Sequence, residues 1–356
     1  MVYDVQEDGN EAKSVYPPRI IREWLDQNSL PDFYDKLKRK VWGQDEELRK
    51  AAIMIYGFLT AMVNNKFDRK FHFLLEGPSA SGKSTFSVAL SQILPCPVII
   101  GDSSALSPSG YRGADIADLL NTDEFKQFWG CSVLILDEAD KMMQETHSSE
   151  GNFHLETLHT LLKCLDGGTI VNRSGESVPC DKVLVIAMGA FTPLREAPKA
   201  VSNRNIGFCV DRLPEAARTA QKPQERRIDK NLMLDFCGSE QFLGRFLTVL
   251  HFKSLEKDIF LKILYQTESE IREVYGCGFD LPRNERLRIV EAAMASPYGG
   301  RFIKSAVWEA FLSAPDKWDI MKKPSLLEIH PKRYSFRIKK PLQFSSLVGW
   351  KLQRFF

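Results

Sequence analysis

The sequence predicts an α/β fold with a parallel sheet between layers of helix, and two segments carry that prediction. In "KFHFLLEGPSASGKSTFSVALSQILP" a short apolar run, Phe71 to Leu75, leads into Gly77-Pro78-Ser79-Ala80-Ser81-Gly82-Lys83-Ser84, which fits GxxxxGK[ST]. Phe86, Ala89, Leu90, Ile93 and Leu94 then recur at helical spacing and stop before Pro95. A strand, a glycine loop and a helix in that order make a P-loop, and with it the P-loop NTPase class. In "CSVLILDEADK" the run Val133 to Leu136 is apolar without alternation, as in a central strand covered on both faces, and it ends in Asp137-Glu138.

These two segments carry complementary chemistry. Glycines let backbone N–H groups turn inward around phosphates, and the helix N-terminus behind them adds a favourable dipole. Lys83 is expected to reach the β- and γ-phosphates. The hydroxyl of Ser84 is expected to meet Mg2+, and Thr85 completes the nucleotide-binding set. Asp137 fits the carboxylate of the magnesium shell. Glu138 fits a base that polarises the attacking water, which hydrolysis needs and binding alone does not. ATP and Mg2+ are the expected cofactors. The letters "DEAD" also suggest a helicase, but that architecture takes two such cores in tandem, and too few residues follow this one.

Composition sets wider bounds. A length of 356 residues suits about two domains, and 44% hydrophobic with 26% charged content is that of a soluble globular protein. A net charge of +2 gives no whole-chain reason to expect nucleic acid or a membrane as partner. The start, "MVYDVQEDGNE", shows no targeting peptide, and "AAIMIYGFLTAMV" (Ala51 to Val63) is too short to span a bilayer and reads as a buried helix. Seven cysteines, odd in number and not closely spaced, suggest reduced thiols and a cytoplasmic location rather than disulfides or zinc. His154 and His159 fall far apart around a helix and HExxH is absent, so no metal cluster is expected there.

Over roughly Leu37 to Ile338 the chain resembles the AAA+ ATPases, specifically the ClpX-like unfoldases, with HslU a close relation. "VWGQDEELRKAA" is similar to the family's V-x-G-Q segment, which implies that Val41 and Trp42 pack beside adenine. "FLGRF" places Arg245 where the family has the arginine that reaches a neighbouring subunit's ATP. "SPYGGRFIKSAVWEAF" resembles the sensor-2 helix, with Arg301 reaching nucleotide from a small domain. An arginine supplied in trans ties hydrolysis to assembly, and head-to-tail donation closes rings. The resemblance implies a homo-hexamer acting on protein substrates.

It also explains an odd loop. In "SALSPSGYRGADIADLL" Tyr111 stands between two glycines, where an aromatic is expected to be exposed on a mobile loop. The family's G-Y-V-G loop grips substrate in the axial channel, which implies that role for Tyr111, with Arg112 replacing Val. Ile206-Gly207-Phe208 is similar to the family's I-G-F loop, which docks on a ClpP-type peptidase.

Some features depart from the pattern. No cysteine precedes Cys96, so the zinc module with which ClpX begins is not matched, and no zinc is expected. "TIVNRSGESVPCD" is shorter than the family's substrate-engaging loop and suggests a hairpin at Asn172 to Gly175. The end of the chain, from His330, has seven Lys/Arg and interleaved aromatics, yet Tyr334, Phe336 and Ile338 alternate as a strand does. The expected organisation is an extension (1–32), an AAA+ large domain (33–250), a small mainly α-helical AAA+ domain (251–340) and a basic tail (341–356). The expected function is ATP-dependent unfolding and translocation of protein, delivered to a ClpP-type peptidase. The alternatives are a stand-alone remodelling ATPase and, with only the basic tail in support, a nucleic-acid-directed motor.

Overall fold

The structure is a computed structural model, and it describes residues 17–106, 115–143, 153–196, 228, 230–237, 240–275, 278–313 and 335–336. The chain divides into two units, Met1–Pro78 with Gly82–Lys253, and Ser79–Ser81 with Ser254–Phe356. In the first, β1 (Phe73–Glu76), β2 (Val98–Asp102), β3 (Ser132–Asp137), the hairpin strands β4 (Thr169–Val171) and β5 (Ser177–Pro179), β6 (Val183–Gly189) and β7 (Thr248–His251) alternate with helices. The helices are α1 (Pro17–Gln27), α2 (Leu30–Lys40), α3 (Asp45–Val63), α4 (Lys83–Ile93), α5 (Ile116–Leu120), α6 (Asp123–Gln127), α7 (Ala139–Met143), α8 (Phe153–Leu165), α9 (Thr192–Glu196), α10 (Lys230–Cys237) and α11 (Glu240–Leu243).

Five strands form one parallel sheet in the order β2-β3-β6-β1-β7. Parallel neighbours need long crossovers, and the helices supply them. Alternate side chains enter opposite cores. Phe73, Leu75, Val133, Ile135, Leu184 and Ile186 pack with α1 to α4. Leu74, Leu134, Leu136, Val183, Val185 and Ala187 pack on the other face with α5, α7 and α8. With both faces covered the strands read as unbroken apolar runs, which is the α/β architecture the sequence predicts. β1 begins two residues later than the apolar run and takes in Glu76.

Part of the segment set apart in sequence as an extension is folded onto this sheet. Ile21, Trp24 and Leu25 share one face of α1 and join the core, and Trp24 Nε1 donates to the Ile93 carbonyl at 3.0 Å. The expected hairpin forms between β4 and β5, where Asn172 Oδ1 accepts from Glu176 N at 2.8 Å and Gly175 takes φ +82°. Cys96, Cys131, Cys164 and Cys180 are buried free thiols, and Cys96 hydrogen-bonds with Cys131 and Cys164 with Cys180. These partners are far apart in sequence. Thiol–thiol hydrogen bonding and burial push Cys96 and Cys164 up, so they sit as inert core groups.

The second unit carries α12 (Lys257–Tyr275), β8 (Gly278–Phe279), α13 (Arg283–Ala295), α14 (Gly299–Ser313) and β9 (Ser335–Phe336). Leu264, Ile289, Val290, Ile303 and Val307 form its core. The fully buried carboxylate of Glu268 accepts from Arg286 Nε and Nη2 and from Leu281 N, at 2.9–3.0 Å. β9 pairs with β8 in parallel, Phe336 opposite Phe279, so the alternation read at Tyr334 to Ile338 is strand at Ser335–Phe336. Among the described residues no helix is long and apolar enough to cross a membrane.

Candidate nucleotide-binding site

Gly77, Gly82 to Thr85, Asp137 and Glu138 gather at the carboxyl ends of the parallel strands, where α/β sheets bind ligands. Glu76 of β1 stands opposite Gly189 of β6, and Gly77 N donates to the Gly189 carbonyl at 3.2 Å. Asp137 of β3 stands opposite Asp102 of β2. Between β1 and α4 the chain turns through positive φ twice, at Ala80 (+62°) and Gly82 (+103°). Left-handed residues in such a turn aim successive N–H groups to one side and form a concave anion cradle. Gly82 is the N-cap of α4, and Lys83, Ser84 and Thr85 make its first turn, the last two exposed. Lys83 Nζ donates to the carbonyls of Gly77 (2.6 Å) and Pro78 (2.9 Å), which holds the ammonium against the loop.

Val41 is buried, and its Cγ1 lies 3.7 Å from where a Cβ on Gly82 would stand, so Val41 packs beside the start of α4. Trp42 is half-buried, with Nε1 donating to the Arg39 carbonyl at 3.0 Å. The buried Gln44 clamps the backbone of Lys253 through both amide atoms, at 2.8 and 2.9 Å.

Asp137 is half-buried and accepts from Glu138 N at 3.0 Å through Oδ1. Glu138 takes φ +54°, a strained conformation for a residue with a side chain, which leaves its carboxylate exposed and paired with Lys141. Asp140 follows. Its Oδ2 accepts from Phe191 N at 3.1 Å, and its Oδ1 lies 2.7 Å from where a Cβ on Gly189 would be. Only glycine fits there, so the end of β6 is latched to the helix after β3. A cradle of N–H groups, an ammonium, the Ser84 hydroxyl and the Asp137 carboxylate form a donor set suited to a triphosphate and a hard, oxygen-seeking cation.

Beneath the loop lies a network not foreseen from sequence. Glu76, 2% exposed, pairs with the Arg195 guanidinium and with His251 Nδ1, the latter at 2.6 Å. Arg195 Nε also donates to the Ala190 carbonyl at 3.1 Å. Three strand ends, β1, β6 through α9, and β7, are thereby tied at the residue before Gly77.

Residues 73–204, which span β1, the loop, Asp137 and the end of β6, match the family described as "ATPase family associated with various cellular activities (AAA)". Over that segment the chain is similar to the AAA ATPases. Over 287 residues the chain is 25% identical to the ATP-dependent Clp protease ATP-binding subunit ClpX 2 of Wolinella succinogenes, covering 73% of this chain and 68% of that one. Over 372 aligned positions it is 23% identical to the ATP-dependent Clp protease ATP-binding subunit ClpX of Treponema denticola, covering 93% of this chain and 84% of that one.

Arg245 follows α11 and forms a bidentate pair with Asp166 in its own chain, at 2.7 and 2.8 Å. Arg301, in the second unit, is exposed on the first turn of α14. Tyr111 and Arg112, and Ile206, Gly207 and Phe208, lie outside the described residues. Glu76, Asp140, Asp166, Arg195 and His251 were not singled out. A lone acid in "FLLEGP" was the one visible signal, because the partners of Glu76 stand 119 and 175 residues away.

Proposed function

We propose that this protein is an AAA+ ATPase and an ATP-driven protein unfoldase, working as a homo-hexameric ring that threads polypeptide along its axis and delivers it to a ClpP-type peptidase. The observation that carries the proposal is its likeness, over most of its length, to ATP-binding subunits of Clp protease. In this reading the 77–85 loop holds the phosphates, Lys83 meets the terminal ones, and Ser84 and Asp137 hold Mg2+. When bound, Mg2+ neutralises charge on the phosphoryl oxygens. Glu138 orients a water at the open end of β3 and takes its proton. Arg245 serves a neighbouring subunit's nucleotide, Arg301 is the catalytic arginine of the second unit, and Val41 and Trp42 border the base. Tyr111, with Arg112, grips the translocating chain, and Ile206-Gly207-Phe208 docks the peptidase.

The test is sedimentation of the Glu138→Gln protein in ATP, with and without a ClpP-type peptidase from the same source. Slowed hydrolysis should hold the ring closed. A hexamer that co-sediments with peptidase is the expected result. A hexamer that ignores it would replace this reading with a stand-alone remodeller, and a monomer in saturating ATP would remove the ring.

A further inference from the structure

We propose that Asp166 is the positioning residue for Arg245, holding its guanidinium in the pose from which it serves the neighbouring subunit. The inference rests on the reading of Arg245 as an arginine supplied in trans, and it assigns a function to a residue with no role in the phosphate loop or at Glu138.

Asp166 is in an unfavourable place unless something cationic meets it. It is the C-cap of α8: Gly168 N donates to the Lys163 carbonyl (2.8 Å), Gly167 N to the Cys164 carbonyl (2.9 Å), and Gly167 takes φ +74°. That is a Schellman ending, and a carboxylate there faces the negative end of the helix dipole. Arg245 supplies the compensation. Its Nε meets Asp166 Oδ1 at 2.7 Å, its Nη2 meets Oδ2 at 2.8 Å, and its Nη1 donates to the Gln241 carbonyl. The Arg245 guanidinium holds the Asp166 carboxyl below the usual range.

Both partners are anchored to one core residue. His72 Nε2 bonds the carbonyl of Leu165, next to Asp166, at 2.9 Å, and the His72 carbonyl accepts from Leu247 N, two residues past Arg245, at 2.8 Å. Buried Phe242 and Phe246, edge-to-face at 5.1 Å, fix the turn that carries Arg245. A guanidinium has five N–H groups. Three are engaged here among the described residues, which leaves one on each terminal nitrogen. Such a pair suits a phosphoryl oxygen or two. A long side chain that otherwise samples many rotamers is thus oriented before it meets a ligand, and pre-orientation is what rate depends on.

The experiment measures ATPase kinetics of the full chain carrying Asp166→Asn, Arg245→Ala, or both, with nucleotide affinity read by a fluorescent ATP analogue and assembly by sedimentation. The expected result is a kcat lower by about tenfold to a hundredfold for Asp166→Asn, with nucleotide affinity and assembly kept, and no further loss when it is added to Arg245→Ala. Asp166→Glu should restore part of the rate. The exchanged pair, Asp166→Arg with Arg245→Asp, serves as the control for folding: it should recover thermal stability but not kcat, whereas a merely structural pair would recover both. Loss of kcat in Arg245→Ala with none in Asp166→Asn overturns the positioning role alone. Additive losses would also overturn it. An Arg245→Ala protein with unchanged kcat would remove the reading of Arg245 itself, and the positioning role with it.

Discussion

His72 is buried between two fixed partners. Nδ1 accepts from Val185 N at 3.0 Å, and Nε2 bonds the Leu165 carbonyl at 2.9 Å, so the ring is held as one neutral tautomer. Burial is the main cause that lowers its pKa from 6.5 to about 4. The unfolded chain therefore takes up a proton that the folded chain refuses. The contribution to stability is complete above pH 6.5 and is lost as pH falls from there toward about 4, by on the order of 3 kcal/mol. Urea unfolding at several pH values should show that slope, and His72→Gln should flatten it while lowering stability at neutral pH. Glu76 makes the opposite kind of residue-scale case. Glu76→Ala leaves Arg195 and His251 without their shared carboxylate beneath the phosphate loop, and should cost about 3–5 kcal/mol. Thermal unfolding reads that loss. An unchanged midpoint would mean that water compensates both partners. Neither network was legible in the sequence, since a lone His or Glu in an apolar run does not say what it faces.

Elements built from local rules were legible. The run after Gly82 becomes α4 with Phe86, Ala89 and Leu90 buried, and Val133 to Leu136 become the buried length of β3. The loop between β1 and α4 was readable because its turn uses contiguous backbone, and glycine is favoured where φ is positive. Gly82 is the sharpest instance. At φ +103° a side chain is strained even though the nearest atom to its Cβ, Val41 Cγ1, stands 3.7 Å off. Gly82→Ala should therefore cost about 1–2 kcal/mol through backbone conformation rather than crowding. It should weaken nucleotide binding more than it lowers overall stability. Titration with a fluorescent ATP analogue beside thermal unfolding separates the two. Element ends were less legible. β1 was placed two residues early, because Phe71 and His72 look like strand by composition while the ladder begins at Phe73.

At the scale of the whole molecule the proposal concerns assembly. One buried phenylalanine contributes only about 1.5–3 kcal/mol, so a single docking loop binds feebly, and several on one ring gain through effective concentration. Phe208→Ala is expected to abolish co-sedimentation with a ClpP-type peptidase while ATP turnover and hexamer mass stay as they were. Retained association would move the docking role elsewhere. The sequence alone determined the fold class, the glycine turn between β1 and α4, and the place of Asp137-Glu138 at the end of β3, because each is written in neighbouring residues whose spacing the backbone translates directly. Only the tertiary structure decided that Glu76 sits between Arg195 and His251, that Asp140 latches the end of β6, and that Arg245 is held by Asp166 from 79 residues away. Those partners are chosen by how strands order and helices pack, and that choice is made by burial across the whole sheet rather than by local spacing.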